Sequence, residues 1–78
     1  SVSGAALNYI IDVDVYRAAL MRYIENDGDS RILGDIQAAA TEMEAGRDHF
    51  IEEEINYLVS AGYTQEEAKS CIYLGDYE

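Results

Sequence analysis

Sixteen Asp and Glu residues against five Lys and Arg give this 78-residue chain a formal charge of −11 at pH 7. The size allows one domain, or part of an assembly, with a modest margin for folding alone. The charge excludes direct binding to DNA, RNA or an anionic membrane, where like charges would meet, and a hydrophobic fraction of 49% excludes a disordered acidic tail.

The chain has no proline and is rich in Ala, Glu, Ile and Leu, which favours helix over sheet. Residues 1–8 are small and polar and are expected to fray. Ser1–Ala6 lacks the basic start and apolar centre of a signal peptide. From Tyr9 to Tyr16 two patterns overlap. Ile11, Val13 and Val15 alternate with Asp12 and Asp14, a strand pattern. Tyr9, Val13, Tyr16, Leu20 and Ile24 are spaced as one helix face. One helix from about Asn8 to Glu25 is the preferred reading. The alternative is a helix that starts at Asp12 or Asp14 after a short extended lead.

Asn26–Ser30 is a turn by composition, and Asp29 or Ser30 can cap the helix that follows. That helix carries Ile32, Ile36, Ala39 and Met43 on one face. Gly46 either ends this helix in a left-handed cap or sits inside a longer helix at a cost of about 1 kcal/mol relative to alanine, and a break or kink is the preferred reading. The apolar stripe resumes slightly out of phase at Phe50, Ile51, Ile55, Leu58 and Val59. Gly62 fits a helix C′ position, and Thr64 with Glu67 forms a capping box that opens a last helix from about Gln65 to Leu74. This helix is expected to bury Ala68, Cys71 and Ile72 and to stop at Gly75, leaving Asp76–Glu78 as a tail. The expected fold is a single all-α domain, 1–78, built as a small antiparallel bundle of three to four helices.

The segment Leu58-Val59-Ser60-Ala61-Gly62-Tyr63-Thr64-Gln65-Glu66-Glu67-Ala68 resembles the helix–loop–helix of ubiquitin-associated domains, which place a small-residue-Gly-aromatic loop before an alanine-containing second helix. The resemblance implies ubiquitin binding. The family adds a third helix, for which few residues follow here. The same pattern is what any well-capped helical hairpin needs.

Catalytic and metal chemistry find little support. Oxygen ligands alternate along Glu25–Asp29, but the glycine and the bidentate carboxylate that a calcium loop needs are missing in either register. His49 is the only histidine, so a di-metal site with two Glu-x-x-His pairs is excluded. Cys71, the only cysteine, has no neighbouring histidine or cluster of cations to activate it. It can form no internal disulfide, which points to a reducing, cytoplasmic setting. No apolar run approaches the roughly 20 residues of a membrane span. The expectation is a protein that is not an enzyme and that uses no cofactor and no metal.

Two surfaces stand out. The first is aromatic: Tyr9, Tyr16 and Tyr23 recur every seven residues along one face of the first helix. Tyrosine is enriched at interfaces, and Ile10, Val15 and Met21 lie off the main stripe, so a partner or a second copy of the chain could dock there. The second is acidic. Solubility and adaptation to high salt would each account for an excess of carboxylates, and a third reading is mimicry of nucleic acid. Glu42, Glu44, Asp48, Glu52, Glu53 and Glu54 crowd one stretch against Arg47 alone. As helix that stretch spans about 18 Å, over which duplex DNA carries about ten charges. Asp27 and Asp29, with Asp12, Asp14 and Asp35, would add to it if the helices pack side by side. The expected function is therefore inhibition: an acidic surface that blocks the basic nucleic-acid-binding site of a protein or complex. In character this is similar to phage-encoded anti-CRISPR and anti-restriction proteins. The alternative is a helical adaptor or oligomerisation domain that binds through its apolar and tyrosine face.

Overall fold

The computed structural model describes residues 3–74, and all its regular structure there is helical. Helix α1 runs from Gly4 to Glu25, a 3-10 turn covers Ser30–Ile32, α2 runs from Leu33 to Ser60 and α3 from Gln65 to Leu74. The expected stop at Gly75 and the tail after it lie outside the described residues, as do Ser1 and Val2.

Helix α1 starts earlier than its pattern suggested. Ser3 is the N-cap, its Oγ accepting the Ala6 N–H at 3.1 Å. That bond satisfies one of the donors a helix start leaves open. Ala5 is buried, so the first turn is packed as well as capped. The alternation at Ile11–Val15 therefore lies within a helix, and Gly4–Asn8 belong to it.

At its other end α1 closes in a Schellman motif. The Asp27 N–H donates to the Ile24 carbonyl at 3.1 Å and the Gly28 N–H to the Tyr23 carbonyl at 2.8 Å. The left-handed position is occupied by Asp27, at φ 54°. Asp29 caps the 3-10 turn by accepting the Arg31 N–H at 3.0 Å.

The break expected at Gly46 does not occur: α2 is continuous over 28 residues. Helix α1 explains the glycine. A Cβ at position 46 would stand 2.5 Å from Asp12 Oδ2 and 3.7 Å from the Tyr9 Cα. The residue marks close approach between two helices rather than the end of one. Further contacts follow the same course. Tyr9 stacks on Phe50 with ring centroids 5.9 Å apart and planes inclined by 16°, and Arg22 reaches Asp35 at 3.4 Å.

The α2–α3 corner follows its sequence signals. Gly62 sits at φ 107°, its N–H donates to the Val59 carbonyl at 3.0 Å, and the Tyr63 N–H donates to the Leu58 carbonyl at 3.1 Å. The capping box is formed: the Glu67 N–H donates to Thr64 Oγ1 at 3.1 Å and the Thr64 N–H donates to Glu67 Oε1 at 2.9 Å. Ala68 is fully buried where α3 meets α2, while Cys71 and Ile72 are half-buried.

The core is thin. Among the described residues the buried apolar side chains are Ala5, Ala19, Ile32, Ala39 and Ala68. Alanines let helix axes come close but remove little apolar area from water. The radius of gyration is 15.9 Å, against about 11–12 Å for a compact domain of this length. The molecule is a rod of 50 × 22 × 19 Å.

Candidate protein-binding surfaces

Charge is segregated between the two long helices. Helix α1 holds three carboxylates and two arginines, whereas α2 holds seven carboxylates and Arg47 alone. Each residue turns the helix by about 100°. Because α2 is unbroken, the positions of its carboxylates follow from their spacing. Glu44, Asp48 and Glu52 are four apart and form one row, and Glu42, His49 and Glu53 form a second, about a third of a turn round the helix from it. Both rows are exposed. Glu54 lies round the helix from them, half-buried, in a recess that it shares with Ser3, Glu53 and Tyr57.

Local partners distinguish these carboxylates. Asp29 is engaged by Arg31, whose Nε donates to Oδ1 at 3.1 Å and whose Nη2 donates to Oδ2 at 2.7 Å. The Arg31 guanidinium holds the Asp29 carboxyl below its ordinary range, and Asp29 in turn raises Arg31. Asp48 meets Arg47 at 3.5 Å, and Glu53 Oε1 lies 4.0 Å from His49 Nε2. Asp27, Glu42, Glu44 and Glu52 are exposed and form no ion pair among the described residues. Of the acidic residues singled out in the sequence, they are the most available to an external cation.

The tyrosines divide differently from their spacing. Tyr9, Tyr16 and Tyr23 are half-buried. Tyr9 is occupied by Phe50, and the Tyr23 hydroxyl is within 3.4 Å of where a Cβ at Gly28 would stand. Among the described residues the exposed tyrosines are Tyr57 and Tyr63. Ile24, placed by its spacing on the core stripe, is 67% exposed, because α1 turns off into the Asn26–Asp29 turn just after it.

Helix α1 also exposes Leu7, Ile10, Ile11, Val15 and Met21. The excess of apolar residues at Ile10, Val15 and Met21 was visible in the sequence. Leu7 joins them because α1 begins at Gly4, ahead of the start near Asn8 that the sequence predicts. Among the described residues no cluster of three or more His, Cys, Asp or Glu side chains is arranged to hold a metal ion, and no helix is long and apolar enough to cross a membrane. The chain matches no family model, no curated protein and no solved structure.

Proposed function

We propose that this protein is a non-enzymatic inhibitor that presents the acidic side of α2 to a basic nucleic-acid-binding groove on another protein or complex. The observation that carries this reading is the segregation of charge. Seven carboxylates gather on one long helix, five of them in two exposed rows along a rod, while the neighbouring helix is close to neutral. Glu42, Glu44 and Glu52 stand in for phosphates, accepting hydrogen bonds from arginines of the partner. Long-range attraction steers the encounter, and occupancy of the groove excludes nucleic acid without any chemistry. The scaffold in this reading is an antiparallel bundle of three helices in the cytoplasm. The mode of action is that of phage inhibitors of host nucleases. A helical adaptor that binds through α1 is the second reading, favoured by the apolar side chains this helix exposes.

The test is displacement of a fluorescent DNA duplex from purified CRISPR effector and restriction complexes. Displacement by this chain is expected, with a loss of at least tens of fold, about 40-fold for three contacts, in affinity between about 50 and 200 mM salt. The triple variant Glu42→Lys, Glu44→Lys, Glu52→Lys should lose displacement while circular dichroism stays helical. Displacement that survives both changes refutes mimicry, and so does an absence of displacement across the panel.

A further inference from the structure

One line of exposed residues on α1 has a symmetry of its own. Leu7, Ile10, Asp14, Arg17, Met21 and Ile24 are spaced three, four, three, four and three residues apart, the seam of a coiled coil. All six are exposed, on the flank of α1 beside the half-buried Tyr9, Val13, Tyr16 and Leu20. Their order is apolar, apolar, acidic, basic, apolar, apolar. Read backwards, the apolar positions coincide and the two charges exchange places. A seam of this kind is complementary to itself when two copies run in opposite directions.

We propose that this seam is a homodimer interface in which α1 packs antiparallel against α1 of a second copy. The two-fold axis passes between Val15 and Tyr16. Leu7 of one copy then meets Ile24 of the other, Ile10 meets Met21 and Asp14 meets Arg17, each contact occurring twice, as an isologous interface requires. Neither Asp14 nor Arg17 forms an ion pair within the chain among the described residues, so both are available. The charged pairs set direction and register. A parallel arrangement sets Asp14 against Asp14 and Arg17 against Arg17, and a slip of one heptad sets Asp14 against Ile10 and Arg17 against Leu7.

Two further observations favour a second copy over a foreign partner. With a net charge of −11, copies can meet only where charge is low, and α1 is the long helix that is close to neutral. The monomer also buries only alanines and Ile32 among its described apolar residues, and oligomerisation is a common remedy for so small a core. The acidic rows of α2 lie outside this interface, so each copy keeps them for a partner.

Sedimentation equilibrium of the purified chain tests the proposal. A species of twice the 8.7 kDa protomer mass is expected, and it should persist or tighten as salt screens the net charge. Ile10→Glu with Met21→Glu should give a folded monomer. Asp14→Arg and Arg17→Asp should each weaken the dimer about tenfold or more, and the double variant Asp14→Arg, Arg17→Asp should recover it. A monomer at 100 µM overturns the proposal. So does a dimer indifferent to the single reversals, or a double variant as weak as either single. The salt response is opposite in sign to that of duplex displacement, so failure of this interface and failure of the inhibitor reading are distinguishable.

Discussion

Gly46 of α2 lies against Asp12 of α1 so closely that a methyl group on the glycine would meet the carboxylate oxygen at 2.5 Å. The backbone there is ordinary helix, so the close approach rather than a special dihedral gives the glycine its place. Asp12 Oδ2 is the end of a side chain that can swing aside, whereas the Tyr9 Cα, 3.7 Å from the same point, cannot. Gly46→Ala should therefore gain most of the roughly 1 kcal/mol that alanine adds inside a helix. Gly46→Leu, which reaches beyond Cβ into the α1 backbone, should lose about 1–3 kcal/mol. Urea unfolding of the two variants checks the sign of each.

Asp27 holds a left-handed conformation that favours glycine, at φ 54°. It also places a negative charge at the C-terminus of α1, where the helix dipole disfavours it. Asp27→Gly relieves both and should raise stability by about 1 kcal/mol. A thermal melt that shows no gain would indicate that the side chain already offsets the strain.

Two carboxylates give stability a dependence on pH. The Thr64 N–H, and then the Thr64 side chain, hold Glu67 below its ordinary value, and Arg31 does the same for Asp29. A carboxyl lowered in the folded state stabilises it fully above the unfolded value and loses that contribution as pH falls through the folded one. The contributions are therefore intact at pH 7 and fade below about pH 4.5. Thr64→Ala should cost about 1 kcal/mol at pH 7 through loss of the cap. Glu67→Gln, which removes the titrating group, should flatten the acid limb of the stability profile more than Thr64→Ala, which keeps the backbone N–H, measured by urea midpoints from about pH 7 to pH 3.

Glu44, Asp48 and Glu52 repel one another along α2, because like charges four residues apart are neighbours on a helix. Asp48→Lys converts two repulsive pairs into attractive ones and should stabilise the protein by about 1 kcal/mol. The same change should weaken duplex displacement, since it places a cation in the middle of the acidic row. A variant that gains stability and also inhibits better would remove Asp48 and its neighbours from the binding surface.

What the sequence made legible was local. Thr64 and Glu67 could be paired by eye because a capping box depends on four consecutive residues, and both its bonds are present. Gly46 was misleading because glycine inside and glycine after a helix look alike along the chain. The residues that explain it, Tyr9 and Asp12, belong to another helix. The same difficulty governed the acidic surface. Its residues could be counted in advance, but their arrangement in rows depended on α2 running unbroken through Gly46. Asp29 is a different case: its partner Arg31 is two residues away, and so short a spacing was open to inspection.

Among the described residues the five buried ones are strung along the length of the rod, Ala5 near one end of α1, Ala19, Ile32 and Ala39 farther along, and Ala68 on α3. A domain built in this way has no centre whose loss dissolves everything at once. Opening can start at an extremity and travel, as a zip does, each step releasing one small methyl and the turn around it. Amide exchange should then be graded along the helices and fastest at their free ends, in place of the single slow core of a compact fold.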